Sequence, residues 1–178
     1  DHAKTTADLD AFIAAGYTFF TIDPGEYVDD AAETDDLDTL RQKVEQLDWE
    51  ILESTPAALR DQLLQTFSLN DLTLPFDEYT LLKSAAKYGH AVAHTVKMTR
   101  HLMANLGEFD LEMSVDETAT TTSFYEHFYI VSELHRLTIP IVSLAPRFVG
   151  KFEKGVDYIG DLGQLEANIK GHAAIQNY

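Results

Sequence analysis

The first residues of the chain place groups capable of proton transfer or metal binding directly before a predicted helix. Asp1 is an acid, His2 an imidazole and Lys4 an amine. A metal would bind His2, and a proton-transfer step would use Asp1 or Lys4. From the spacing alone, a solvated segment with an acid that caps the helix is the simpler interpretation.

Two carboxylates and a hydroxyl alternate along one predicted strand. Glu112, Ser114 and Asp116 share a face because the side chains of a strand repeat every second residue. On the inner face of a barrel, the two carboxylates would repel each other unless a cation accompanies them or one has a raised pKa. The alternative register is shifted by one residue and turns the intervening apolar side chains inward, as in an ordinary half-exposed strand.

A local group of cations occurs in a chain whose formal net charge is −17. Arg147, Lys151 and Lys154 follow the third predicted strand, where a barrel would bind an anionic group. The Arg147 guanidinium suits a carboxylate because it donates two parallel hydrogen bonds. Surface ion pairs with nearby acids are the alternative. Asp23 ends the first predicted strand in an Ile-Asp-Pro-Gly turn, where Asp is common because it bonds its own backbone.

Other familiar site motifs receive no support. His90 and His94 are four residues apart on a predicted helix, but no Glu completes a His-Glu-x-x-His motif, so no role is assigned to them. The sequence contains no Gly-x-Ser-x-Gly motif and no Walker phosphate loop.

The elements that must position these residues alternate between helices and strands. The patterns predict helices over residues 5–15, 79–105, 122–137 and 165–175, the second bent or broken at Gly89, and strands over residues 17–22, 109–115 and 139–144. Polar or charged residues follow each strand. This order is typical of parallel α/β folds, whose functional groups lie at the carboxyl ends of the strands.

One acidic segment does not fit that alternation. Residues 31–78 are mostly helical in pattern, with one short helix at residues 56–67, and they are more typical of an insertion or lid than of a barrel layer. The other elements predict part of one (βα)8 TIM-like barrel domain covering residues 1–178. Since a complete barrel needs about 250 residues, we expect further sequence beyond both ends.

Composition limits the classes of partner. Thirty acidic residues against thirteen basic ones disfavour binding to nucleic acid or to an anionic membrane surface. The hydrophobic fraction of 45% fits a folded domain, and no apolar run is long enough for a membrane span. Cysteine is absent, which excludes thiolate chemistry and is compatible with the cytoplasm. We expect a cytoplasmic protein whose partner is an anionic small molecule.

Several stretches of the chain together resemble one known family. They are Asp-His-Ala-Lys-Thr (1–5), Phe-Thr-Ile-Asp-Pro (20–24), Lys-Tyr-Gly-His-Ala-Val-Ala-His-Thr-Val (87–96), Glu-Met-Ser-Val-Asp-Glu-Thr (112–118), Glu-His-Phe-Tyr-Ile (126–130) and the long stretch at residues 142–161. The last begins Val-Ser-Leu-Ala-Pro-Arg-Phe-Val-Gly-Lys and is the most specific. With them the chain resembles, over its whole length, the bacterial tagaturonate (hexuronate) epimerases, whose members are longer.

The resemblance implies a divalent-metal-dependent isomerase that interconverts tagaturonate and fructuronate, both sugar acids, in hexuronate breakdown. It also implies that Asp1 is the proton acceptor and His2 a metal ligand, with Glu112 the best candidate for the second acid or base and Asp116 the alternative. It further implies that the remaining metal ligands are histidines beyond residue 178, so we expect an incomplete site in this chain alone. The candidate substrate-binding residues are Lys4, Asp23, Arg147 and Lys154.

The substrate of that family indicates the chemistry. The two sugar acids differ at a carbinol carbon that is not adjacent to the ketone, so simple enolisation cannot invert it. A retro-aldol route can: a base removes the hydroxyl proton, the carbon–carbon bond breaks, and the aldehyde fragment is attacked again on its other face. Two proton-transfer groups are needed, which fits Asp1 and Glu112, and a metal would stabilise the developing negative charge.

Two other functions stay open at this point. A metal-dependent sugar isomerase or aldolase on the same barrel would share the metal and the two proton-transfer groups but release a different product. A non-catalytic α/β unit would bind no metal and would expose apolar surface where further strands should pair. If a second copy covers that surface, a homo-oligomer is indicated.

Overall fold

Three parallel strands form the central sheet of the structure, a computed structural model that describes residues 2–177. The helices are α1 (Thr6–Ala14), α2 (Leu37–Glu45), α3 (Trp49–Leu52), α4 (Pro56–Leu63), α5 (Glu78–Asn105), α6 (Phe124–Arg136) and α7 (Leu162–Gln176). The strands are β1 (Phe19–Ile22), β2 (Thr66–Leu69), β3 (Leu72–Pro75), β4 (Asp110–Val115) and β5 (Ile141–Pro146).

The sheet has the order β1-β4-β5, and both neighbouring pairs are parallel. Each crossover contains helices, as parallel pairing requires. The prediction of a mixed α/β fold with parallel strands is therefore confirmed. Within residues 2–177, no helix combines the length and the apolar character that crossing a membrane requires.

The helices cover one face of this sheet. Leu111, Met113 and Val115 are buried and belong to the same apolar core as the buried residues of α5 and α6. Because neighbouring side chains of a strand point to opposite faces, Glu112 and Ser114 lie on the face turned away from this core. Of the two registers considered for β4, the structure therefore has the one in which Glu112 and Ser114 share the face opposite the apolar core.

Helix α5 runs without interruption for 28 residues, so the predicted helix is not broken at Gly89. Gly89 is buried where α5 meets the chain after α2, and a Cβ atom there would lie 2.5 Å from Leu47 Cδ1. The glycine thus makes room for Leu47 rather than ending the helix. Sequence patterns alone do not separate these two uses of glycine.

The acidic segment between β1 and α5 is helical at first and then forms a hairpin. A 3-10 turn at Asp30–Glu33 precedes α2, α3 and α4, and β2 pairs with β3 in antiparallel fashion. The predicted helix over residues 56–67 ends at Leu63, and Asn70, with φ of 52°, turns the chain between β2 and β3. Asn tolerates this left-handed conformation. The interpretation of residues 31–78 as an insertion stays a prediction.

Candidate functional site

Residues at the start of the chain add to the sheet beside β1. Ala3 pairs in parallel with Ile22: the Ala3 N–H donates to Thr21 O at 2.8 Å, and the Asp23 N–H donates to Ala3 O at 3.0 Å. A capping box between Thr5 and Asp8 then begins α1. His2 and Lys4 are therefore brought to the same edge as the carboxyl ends of β1, β4 and β5.

Asp23 is the centre of a small charged group at this edge. Its Oδ2 lies 3.2 Å from Lys4 Nζ and 3.8 Å from His2 Nδ1, while its Oδ1 accepts a hydrogen bond from the Gly25 N–H at 3.0 Å. The hydrogen bond and the charge of Asp23 raise the pKa of Lys4. The Lys4 amine is thus protonated at neutral pH, which suits the binding of an anion and not the role of a base.

Glu112 is fixed by a hydroxyl from each neighbouring strand. The Thr21 Oγ1 donates to Glu112 Oε1 at 3.1 Å, and the Ser143 Oγ donates to Glu112 Oε2 at 2.7 Å. The parallel register aligns all three residues, and a shift between Leu111 and Glu112 brings Ser143 opposite. Each carboxylate oxygen keeps a free lone pair. Glu112 is therefore fixed in position on the polar face of the sheet and can still accept a hydrogen bond or a proton.

The second candidate acid, Asp116, lies at the mouth of a cavity of about 810 Å³ that opens beyond β4 and β5. The Ser114 Oγ donates to Asp116 Oδ1 at 2.6 Å. The cavity is lined by acids, cations and aromatic rings, among them Asp116, Glu117, Arg147, Lys151, Phe148 and Phe152. The lysine of this loop that lines the cavity is Lys151, whereas the predicted Lys154 lies exposed three residues further along.

Arg147 is anchored to the loop that follows β4. Its N–H donates to Thr122 Oγ1 at 3.0 Å, its carbonyl accepts from the Thr122 N–H at 2.9 Å, and its Nη1 donates to the Thr118 carbonyl. These contacts use the backbone and one side of the guanidinium. The remaining N–H groups can reach a ligand in the cavity.

Three cations that follow β5 have no ion pair among the described residues. Across residues 2–177, no acid lies within salt-bridge distance of Arg147, Lys151 or Lys154, although most other basic side chains of the chain are paired. In so acidic a protein, unpaired cations beside a cavity favour an anionic ligand.

The described residues do not form a complete metal site. Nowhere in residues 2–177 do three His, Asp or Glu side chains lie close enough together to hold a metal ion. His2 and Asp23 are an imidazole and a carboxylate, which are suitable donors, but they are two. The predicted proton acceptor, Asp1, lies outside the described residues.

The structure brings one further imidazole to this edge. The His94 ring stacks on Tyr27 with 4.1 Å between centroids and interacts with the Lys4 backbone, and burial lowers its pKa. A neutral imidazole here can donate or accept a hydrogen bond. The only sequence signal was its spacing from His90, which proves misleading because His90 instead contacts Asp48, at 3.2 Å.

Comparison with known proteins identifies the family. The model of UxaE, tagaturonate epimerase, matches residues 1–178. The tagaturonate/fructuronate epimerase of Thermotoga maritima is 38% identical over 175 residues, which cover 98% of this chain and 35% of that protein. The native crystal structure of the fructuronate-tagaturonate epimerase UxaE from Cohnella laeviribosi superposes with a TM-score of 0.88 at 32% identity, and its complex with one glycerol gives 0.89.

The chain spans about a third of the length of these relatives: 35% of the Thermotoga maritima protein and 36% of the Cohnella laeviribosi chain. The similarity nevertheless extends over 99% of the present chain in the structural comparison. The motifs that suggested the resemblance are thus part of a continuous match to one family. The chain belongs to the tagaturonate epimerase family.

Proposed function

We propose that this chain forms part of the active site of a metal-dependent enzyme on a (βα)8 barrel that interconverts tagaturonate and fructuronate. The names of the relatives support this reaction. The structural observation that supports it most is Glu112, a carboxylate held at both oxygens beside an edge that also carries Asp23, Lys4 and Arg147. In the proposed barrel, the face that carries Glu112 is the inner one.

The reaction needs one group to take a proton and another to give one. In the first step, a carboxylate accepts the hydroxyl proton of the carbon to be inverted, and the bond to its neighbour breaks to give an aldehyde and an enediolate. The aldehyde turns, the enediolate carbon attacks its other face, and the new alkoxide receives a proton. Glu112 and Asp1 are the proposed pair, with Asp116 as the alternative to Glu112; no atom is oxidised or reduced overall.

The proposed metal is a divalent cation with His2 as one ligand and the other ligands outside residues 2–177. When bound, such an ion stabilises negative charge that develops on substrate oxygens. The chain itself contributes a positive charge for the same purpose through Lys4, whose ammonium stays protonated beside Asp23.

The identity of the product separates this proposal from its nearest alternative. Tagaturonate incubated with a protein of the relatives' full length that contains this chain is analysed by carbon-13 NMR. We expect fructuronate with the carbon chain intact. Three-carbon fragments as the main product would indicate an aldolase, and unchanged substrate together with no metal binding would indicate a unit without catalysis.

Replacement of Arg147 should weaken substrate binding. Because a hydrogen bond to a charged group is worth about 1.5–3 kcal/mol, Arg147→Gln should raise KM for tagaturonate roughly tenfold to a hundredfold, with a smaller change in kcat. Steady-state kinetics measure both. Lys170→Gln removes an exposed ion pair on α7 and serves as the control, while Lys151→Gln and Lys154→Gln show which lysine of the loop contributes. A KM for Arg147→Gln within twofold of the parent would count against a carboxylate site here.

A further inference from the structure

A fully buried ammonium group lies between α5 and the loops at the carboxyl edge of the sheet. The Lys87 side chain has no exposed surface, and its Nζ lies 2.5 Å from Glu33 Oε1 and 3.4 Å from Glu126 Oε1, and donates to Thr120 Oγ1 at 2.8 Å. We call these four side chains the Lys87 network. A charge buried this completely persists only where opposite charges compensate its lost hydration.

The network joins segments that are far apart in the sequence. Glu33 ends the 3-10 turn that follows β1, Thr120 belongs to the loop that follows β4, and Glu126 lies in the first turn of α6. Thr120 Oγ1 also donates to Glu33 Oε1 at 2.9 Å, so the two loops are linked directly as well as through Lys87.

Backbone contacts extend this link on both sides. The Ala119 N–H donates to Asp30 Oδ2 at 3.1 Å, and the Asp29 N–H donates to the Lys87 carbonyl at 2.9 Å. Glu126 Oε2 accepts from the Ser123 N–H at 2.6 Å in the capping box of α6. The segment after β1 is thereby fixed to the loop over residues 116–123.

The same loop supports the candidate site. Asp116 and Glu117 at its start line the cavity, and Thr118 and Thr122 hold Arg147. Lys87 is thus connected to the cavity through the loop, although its own ammonium group is enclosed by the network.

We propose that Lys87 is a positioning residue, which ties the segment after β1 to the loop after β4 and so fixes Arg147 and the acids of the cavity. Without its ammonium group, the Glu33 and Glu126 carboxylates would face each other with no cation between them. Burial raises the pKa of Glu126, Lys87 opposes that rise, and the Glu33 charge adds to it. Whether Glu126 then repels Glu33 or takes up a proton, the ammonium that joins the two segments is lost.

Hydrogen exchange and kinetics of Lys87→Met test the proposal. The amide protons of Ala119 and Thr122 should exchange at least about tenfold faster than in the parent, while those of the β4 strand are unchanged. The kinetic expectation rests on the proposed function and is measured in a protein of the relatives' full length that contains this chain. There kcat/KM for tagaturonate should fall about a hundredfold, since small displacements of positioned groups are costly. Lys87→Arg should restore part of both losses because it keeps the charge.

Two further variants make the test decisive. Lys83→Met is the matched control, since Lys83 also binds Glu33, at 2.7 Å, but contacts neither Thr120 nor Glu126. Thr120→Val removes the exposed hydroxyl that contacts Lys87 and Glu33 and leaves the buried side chains in place. It therefore tests the link between the two segments even if Lys87→Met does not fold. Unchanged exchange at Ala119 and Thr122 in Lys87→Met, or in Thr120→Val where Lys87→Met is unfolded, would overturn the proposal. Absence of epimerase activity in the parent of the relatives' full length would defeat the proposed function alone, because the exchange result stands without it.

Discussion

Glu112→Gln should reduce kcat for tagaturonate epimerisation by about 10²–10⁴-fold, the usual contribution of a general acid or base. Glutamine keeps the size of the side chain, and its amide oxygen can accept from one of the hydroxyls of Thr21 and Ser143 while its NH2 group donates to the other. It neither takes up nor releases a proton. The fold should therefore persist, as circular dichroism and thermal unfolding would show. Steady-state kinetics with tagaturonate in the active protein give the rate.

Asp110→Asn provides a matched control for this result. Asp110 lies on the same strand and the same face as Glu112, but at the other end of β4 and exposed. It should leave kcat within about twofold of the parent, since surface charges far from the reaction contribute little. Near-normal turnover of Glu112→Gln would sink the assignment, and a large loss in Asp116→Asn instead would move the role to Asp116.

Acid should destabilise the packing of α7 on α6 through a buried pair of histidines. His127 and His172 are almost fully buried, with 2.7 Å between their Nδ1 atoms, and burial lowers the pKa of each to about 4. The unfolded chain binds protons at its ordinary pKa of 6.5, so stability is lost as the pH falls from 6.5 toward 4. When the pH is lowered from 7 to 5, this pair should reduce the free energy of unfolding by on the order of 3 kcal/mol.

Urea unfolding at several pH values measures this effect. The variant with both His127→Leu and His172→Leu should lose most of the extra pH dependence, because leucine binds no proton. Phe124 and Phe148 already give the His172 site apolar neighbours. His90→Gln is the control, since that partly exposed ring lies beside Asp48 and contacts neither histidine of the pair. Equal pH dependence in the parent and the double variant would show that the pair does not control acid stability.

Much of the fold could be predicted from periodicity. The three strands of the sheet and the helices between them follow from alternating and three-to-four spacing, and the charged residues after each strand do converge at one edge. Sequence patterns gave the wrong local structure where a residue type is common in two different structural contexts. Gly89 gives space to Leu47 in an unbroken helix, and Asn70 and Asp71 turn a hairpin within a segment whose pattern is mostly helical.

The candidate site was less predictable because its contacts cross long distances in the sequence. Alternation placed Glu112 on a polar face, but the hydroxyls of Thr21 and Ser143 that hold it come from strands 91 and 31 residues away. Nothing in the local pattern marks Lys87 as buried, since its partners Glu33 and Glu126 lie in other elements. Charge spacing indicated the cationic loop, but only the structure shows that Lys151 lines the cavity.

Metal content and tagaturonate conversion, measured together, test the central proposal most directly. The assay compares this chain with a protein of the relatives' full length that contains it, before and after removal of metal by a chelator. We expect the longer protein to bind a divalent metal and to form fructuronate, to lose conversion on chelation and to recover it when metal is restored, while the chain alone converts nothing. Metal binding without conversion by either protein would contradict the epimerase assignment and favour a related isomerase or aldolase.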